Sequence, residues 1–143
     1  MTEKADNNII LERYLSASYG ESMMRTSELI SHLKNMIKKE QIEDAKYLLS
    51  RAIQPTLDYT TALSFYRIYR KIRDKTPPPD ECLQLAVLGG FTTTQLTQFM
   101  ELNLFAFGIS VNVFESEYGV FRQEILNPNS ELYKFKPKII WLL

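Results

Sequence analysis

The chain has little cysteine and little histidine. Among its 143 residues there is one of each, Cys82 and His32. A lone cysteine excludes an internal disulfide, and neither residue type is present in the number that a thiolate or histidine-rich metal site requires. Cys82 adjoins an apolar run and is interpreted as a small buried residue. His32 lies opposite an apolar helix face and is interpreted as a surface residue.

The sequence also lacks an excess of either charge and any long apolar run. Lys and Arg together number 17, as do Asp and Glu, so the formal net charge is +0. The net charge therefore gives no overall electrostatic attraction to nucleic acid or to an anionic membrane. No apolar segment approaches the ~20 residues of a membrane span, and the N-terminus has no basic stretch followed by an apolar one. These absences predict a cytoplasmic protein with neither a membrane nor a nucleic acid as partner.

The first half of the chain has helical periodicity. Apolar residues recur at helical spacing between Ser22 and Lys39, and again from Ile42 to Ile53, where Pro55 closes the run. Asp58 is placed to cap a third helix. Because a short loop joins the second and third helices, we expect them to pair as an antiparallel hairpin. The pattern predicts a helical unit over residues 1–76.

Three consecutive prolines, Pro77-Pro78-Pro79, interrupt this pattern. They cannot continue a helix and form a stiff extended spacer, so residues 77–80 are predicted to be a linker. Beyond it, strand, helix, strand, helix and strand are expected to alternate, which implies parallel pairing. The elements predicted within residues 81–143 are strand Leu83–Leu88, helix Thr94–Phe107 ended by Gly108, a strand marked by Val111, Val113 and Phe114, a turn at Asn127-Pro128-Asn129, a short segment Ser130–Phe135 and strand Lys138–Leu143.

The predicted fold class is therefore α/β. A helical hairpin unit precedes the first half of a doubly wound, three-stranded parallel sheet. The outer strands of so small a sheet would be unpaired apolar edges, which folded proteins avoid exposing. We expect either that the sheet belongs to a larger domain or that a partner covers its edge, and an oligomer formed through the open edge would be one such cover.

The turn after the first strand is the main candidate site, because ligands gather at strand-to-helix turns of doubly wound folds. Gly89 and Gly90 allow a tight turn there, or a close approach to an anion at the following helix N-terminus. Thr92 has two interpretations. It is either a helix cap, with Gln95 completing a capping box, or a nucleophile. The ligand-binding residues predicted in this turn are Gly89, Gly90, Thr92, Thr93 and Thr94.

Acidic and aromatic residues follow the second strand. Glu115 and Glu117 are placed where a carboxylate binds a ribose in nucleotide-binding folds, although they fit a solvated loop equally well. Tyr118 and Arg122 either line the same crevice or pack within the loop. Glu115, Glu117 and Tyr118 complete the predicted ligand-binding set.

Two segments resemble the N-terminal region of FkbH-like proteins. They are AVLGGFTTTQLTQF, which contains the Gly-Gly-Phe-Thr-Thr turn, and VFESEYGVFRQEILNPNSELYKFKPKIIWLL. The resemblance covers roughly Leu83 to Leu143. It implies a region similar to SGNH hydrolases, followed in the family by a haloacid-dehalogenase-type domain. The family loads a glyceryl unit from a phosphoglycerate donor onto an acyl carrier protein in polyketide and other specialised biosynthesis.

The resemblance also indicates what this chain lacks. The dehalogenase-type domain uses an Asp-x-Asp-x-Thr motif and Mg²⁺, and the sequence has no such motif, so no cofactor is predicted for this chain. Thr92 stands where the first SGNH motif, Gly-Asp-Ser-x-Thr, has its nucleophilic serine, and Phe91 replaces the aspartate. Because carrier proteins are acidic, a basic helix face suits one electrostatically, although a solvated face explains it as well. That face comprises Arg67, Arg70, Lys71 and Arg73.

Three hypotheses follow. In the first, the chain is a non-catalytic, N-terminal fragment of an FkbH-like enzyme that engages substrate or carrier protein. In the second, it is a stand-alone interaction module that binds a partner, such as the rest of a larger enzyme, through its helices and open sheet edge. In the third, it is an SGNH-like esterase or acyltransferase with Thr92 as nucleophile.

Overall fold

The computed structural model describes residues 2–143, which form two compact units with their division after Pro78. The fold class is α/β, with seven helices and a three-stranded parallel sheet in the described residues. The first unit contains α1 (Thr2–Leu15), α2 (Ser22–Lys38), α3 (Ile42–Ala52) and α4 (Tyr59–Lys75). The second contains β1 (Leu83–Leu88), α5 (Thr94–Ala106), β2 (Val111–Glu115), α6 (Phe121–Leu126), α7 (Glu131–Phe135) and β3 (Ile139–Leu142).

The first unit has four helices, so the predicted hairpin is only part of it. Its core is formed by side chains that are fully or almost fully buried, among them Leu29, Leu33 and Phe65. Helix α1 was not predicted from the sequence because it has no continuous apolar stripe. Leu11 is its only buried residue. Polar contacts also attach it: Gln41 Nε2 donates to Glu3 Oε1 over 2.6 Å.

The presence of α1 also changes the environment of His32. The prediction of a surface histidine is wrong, because the ring is half-buried and its Nε2 lies 2.6 Å from Asn7 Oδ1 in α1. Tyr14, near the end of α1, packs edge-on against the ring of Phe65, with the centroids 5.9 Å apart. Burial, with a smaller contribution from the charge of Asp58, raises the pKa of Tyr14 to about 12.

Asp58 caps α4, as the sequence predicts. Its backbone is extended, and Oδ1 accepts the Thr61 N–H over 3.0 Å while Oδ2 accepts the Thr61 hydroxyl over 2.6 Å. These contacts satisfy one of the amides that a helix N-terminus leaves without an intrahelical partner. The hydrogen bonds from Thr61 also lower the pKa of Asp58, because they favour its charged form.

In the second unit, β1 is the central strand of the order β2-β1-β3, and both pairings are parallel as predicted. One face of the sheet, with Leu85 and Val87, packs against Met100 and Leu104 of α5. The other face, with Ala86 and Leu88, packs against Phe121 of α6 and Leu132 of α7. The sheet therefore has helices on both faces of β1.

Element bounds in this unit differ from the predictions in a few places. Strand β1 agrees residue for residue, whereas the last strand is shorter at both ends than the predicted Lys138–Leu143. Helix α5 ends at Ala106, and Gly108 adopts a left-handed backbone with φ of +76° just beyond it. Cys82 is half-buried, not buried, because it precedes β1 and lies outside the sheet.

Helix α6 was not predicted because six residues are too few to show a periodic pattern. Its Glu124 caps the next helix: Glu124 Oε2 accepts the N–H of Leu132 over 3.1 Å. The buried Ser130 donates its hydroxyl to the Glu124 carbonyl over 2.6 Å. The predicted turn between the two helices is present, with Asn127 Oδ1 accepting the N–H of Asn129. Within residues 2–143 no helix combines the length and apolar character needed to cross a membrane.

The Asp58 cap can be tested by substitution. Asp58→Ala should lower the free energy of unfolding at neutral pH by about 1 kcal/mol. Because the folded-state pKa of Asp58 is lowered, its contribution is present above the ordinary aspartate range and is lost as the pH falls through that lowered pKa. Urea unfolding of both proteins at several pH values should therefore show the difference shrinking under acid conditions.

Asp74→Ala is the matched control, because Asp74 is an exposed aspartate at the other end of the same helix. There a negative charge opposes the helix dipole, so its removal should leave stability unchanged or slightly raised. Equal losses in the two variants would contradict a capping role for Asp58.

Candidate functional site

The carboxyl ends of β1 and β2 lie side by side, because Val87 is paired with Glu115 in the parallel register. The loop after β1 runs directly into α5, so the N-terminus of that helix is brought to the end of β2. The sheet thus gathers the predicted threonines and Glu115 at one edge. This edge is the candidate functional site.

Two threonine hydroxyls bind the same carboxylate oxygen there. Thr93 Oγ1 donates to Glu115 Oε1 over 2.5 Å, and Thr94 Oγ1 donates to it over 3.0 Å. The Thr93 side chain is only 2% exposed. Hydrogen bonds to a charged acceptor are stronger than bonds between neutral groups, so this contact fixes the α5 N-terminus to the end of β2.

The position of Glu115 disfavours the anion-cradle interpretation of the turn. A helix N-terminus attracts a negative group through its free amides and its dipole. Here the negative group next to α5 is a carboxylate of the chain itself. A phosphate brought to the same place would meet its repulsion.

The two glycines play different parts from those predicted. Neither adopts a positive φ, so a left-handed turn is not the reason for them. Gly89 is buried, and a Cβ there would lie 2.8 Å from Thr93 Cγ2 and 3.6 Å from the carbonyl oxygen of Leu143. At exposed Gly90 a Cβ would meet only Phe121 Cε1, at 3.8 Å. Gly89 therefore makes room for the buried Thr93.

The predicted capping box at Thr92 is wrong. The helix begins at Thr94 with Thr93 as the N-cap residue, so the third helical position is Leu96 and not Gln95. The Thr93 hydroxyl makes no cap hydrogen bond, because it donates to Glu115. Thr92 itself is exposed, and no hydrogen bond to its hydroxyl is found within residues 2–143. A threonine nucleophile requires a neighbouring base, and the carboxylate of Glu115 is hydrogen-bonded to Thr93 and Thr94 instead.

The residues after β2 do not join this cluster. Glu117 and Tyr118 are exposed in a turn in which the Val120 N–H donates to the Glu117 carbonyl over 3.2 Å. The guanidinium of Arg122 lies 5.8 Å from the centroid of the Phe121 ring. Of the three predicted ligand residues in this segment, only Glu115 contacts the threonines.

The basic face of α4 belongs to the first unit. Arg67, Arg70 and Lys71 are exposed, and Arg73 is half-buried. Arg70 and Arg73 each have a partner within the chain. The face therefore presents an exposed positive surface, in which Arg67 and Lys71 are one helical turn apart.

Sequence reasoning missed two polar residues of the second unit. Ser116 follows Glu115, and its N–H donates to the Val87 carbonyl over 3.2 Å. Its Oγ is buried without a hydrogen-bond partner in the described part of the chain. Glu124 accepts the N–H of Leu132 at the corner between α6 and α7. A serine in a loop gives no sequence signal of burial, whereas the Asn-Pro-Asn-Ser segment after Glu124 does indicate a structured turn.

Across residues 2–143, no three His, Cys, Asp or Glu side chains are grouped as a metal ion would require. Comparisons of the chain with protein-family models, with curated proteins and with solved structures found no match.

The close approach of Gly89 to Thr93 can be tested with two alanine variants that should differ in stability. Gly89→Ala should cost about 1–3 kcal/mol of unfolding free energy, since the new methyl overlaps Thr93 Cγ2. Gly90→Ala should be neutral or stabilising by up to about 1 kcal/mol, because its site is open and its backbone is compatible with alanine. In a Thr93→Ser background, which removes the methyl and keeps the hydroxyl, the cost of Gly89→Ala should fall. An unchanged cost, measured by urea unfolding, would show that Thr93 is not the obstacle.

The hydrogen bond from Thr93 to Glu115 can be tested with a second pair of variants. Thr93→Val keeps the shape of the buried side chain and removes its donor, so stability should fall by about 1.5–3 kcal/mol. Thr92→Val is the matched control at an exposed neighbour and should change stability by less than about 0.5 kcal/mol. In a Glu115→Gln background the loss caused by Thr93→Val should shrink, and strict additivity of the two changes would argue against the contact.

Proposed function

We propose that the chain acts as a non-catalytic part of an FkbH-like enzyme system, in which it engages the substrate or the carrier protein. The system would load a glyceryl unit from a phosphoglycerate donor onto an acyl carrier protein in polyketide or other specialised biosynthesis, in the cytoplasm. The observation that carries the non-catalytic role is the use of Glu115. The carboxylate held against the threonines is hydrogen-bonded to Thr93 and Thr94 and not to Thr92, the predicted nucleophile.

The strand order supports the family proposal. The order β2-β1-β3 is that of the first three strands of flavodoxin-like sheets, and it agrees with the SGNH-like region that the resemblance implies. We assign no cofactor to this chain. In the proposed system, the Mg²⁺-dependent chemistry belongs to a dehalogenase-type domain.

The α4 face supports a carrier protein as the partner. Arg67 and Lys71 are both exposed and lie on one side of the helix. Opposite charges across an interface steer encounter and fix orientation, so an acidic carrier helix would be attracted to this face. A stand-alone interaction module is the second candidate, and it is favoured by the exposed side chains of β3.

Carrier binding can be measured by titrating the full chain with a purified acyl carrier protein in a calorimeter or by fluorescence anisotropy. The double variant Arg67→Glu/Lys71→Glu should weaken binding by about tenfold or more, mainly through slower association. Added salt should weaken the unmodified complex as well, because exposed charges are screened.

Lys34→Glu/Lys46→Glu is the matched control. It reverses the same amount of charge at exposed positions of α2 and α3. Equal weakening by both double variants would indicate attraction by net charge alone. No binding by the unmodified chain would refute a carrier-engaging role.

A further inference from the structure

The proline run Pro77–Pro79 is only partly explained by the fold. Helix α4 ends at Lys75, and Thr76 closes it with an extended backbone and a hydroxyl that donates to the Ile72 carbonyl over 2.7 Å. A single proline after such a cap is sufficient to stop a helix. All three proline side chains are exposed, so packing does not require the second and the third.

The run lies at the boundary between the two units, which falls after Pro78. Contacts in the first unit join residues that are close in sequence, such as Asn7 and His32, 25 positions apart. In the second unit β1 pairs with β2 and β3, and both partners follow it in the chain. During synthesis the apolar strand β1 is therefore made before its partners exist. Unpaired apolar strands of this kind are prone to aggregate.

The bonds between consecutive prolines form slowly for a stereochemical reason. Each ring fixes φ near about −65° and leaves a bulky secondary amine as the attacking group. The residue before a proline is confined to an extended ψ. When Pro79 is the incoming residue, the growing end is Pro77-Pro78, and neither of its two backbone angles is free. Bond formation needs a narrow approach geometry, and this chain end has little freedom to reach it.

We propose that synthesis of the chain pauses before the bond between Pro78 and Pro79 forms. In this step the nitrogen of Pro79 attacks the ester carbonyl that joins Pro78 to its transfer RNA. An amide bond replaces the ester bond, and the proton of the amine passes to the released ribose hydroxyl.

The pause delays the appearance of β1 while the first unit begins to fold. Because the residues nearest the growing end are still inside the ribosome, the delay acts on the N-terminal helices α1 and α2. These two helices contact each other directly, through Asn7 with His32 and through the ion pair of Arg13 with Glu28. Such local contacts form quickly compared with the pairing of distant strands.

The pause can be measured by primer extension on ribosomes that translate the full coding sequence in a reconstituted system. Ribosomes should accumulate with Pro78 on the peptidyl transfer RNA, several-fold above their occupancy at the isolated Pro55 and Pro137. Pro78→Ala should remove the accumulation, because no proline then follows another. Synonymous codons for the three prolines are the matched control and should leave it unchanged. This measurement does not depend on whether the variant folds.

Equal occupancy at the isolated prolines, survival of the accumulation in Pro78→Ala, or its loss with synonymous codons would overturn the proposal. The effect on folding has its own readout. Newly synthesised Pro78→Ala should have a smaller soluble fraction than the unmodified chain, whereas both should recover equally when refolded from urea. Equal soluble fractions after synthesis, or the same deficit after refolding, would contradict the role of the pause in folding.

Discussion

Strand β1 is paired on both edges and buried on both faces from Leu85 to Leu88. The second unit depends on this burial. It brings α5 to one side of the sheet and α6 and α7 to the other, and it aligns the ends of β1 and β2. A strand that is covered in this way must be uncharged. The turn that follows it must be compact, because a side chain at Gly89 would collide with Thr93.

The contact between Thr93 and Glu115 converts this alignment into a fixed local structure. A turn that resembles a catalytic or anion-binding site is held together by its own carboxylate. The same residue types that suggest chemistry therefore serve to join a helix to a strand. The exposed surface of the described residues includes the positive face of α4 in the first unit and strand β3 in the second.

The extent to which the sequence predicted the structure differs between elements. Strand β1 and the Asp58 cap were predicted correctly, because an uninterrupted apolar run and a capping aspartate are local signals. Helices α1 and α6 were missed, since one has no apolar stripe and the other is very short. At the candidate site, the sequence predicted Thr93, Thr94 and Glu115 as ligand-binding residues, and the structure shows that these three are in contact. It assigned the cap to Thr92, because the pairing of a threonine hydroxyl with a residue 22 positions away leaves no trace in local spacing.

The sequence by itself determined the α/β class and the parallel pairing of the strands, because the periodicity that distinguishes helix from strand acts within a few residues. Tertiary structure alone decided which threonine is buried, that Glu115 is held at the N-terminus of α5, and that β3 is exposed on both faces. Those outcomes depend on which strands become neighbours and on where the helices stop, and such long-range contacts are set by packing.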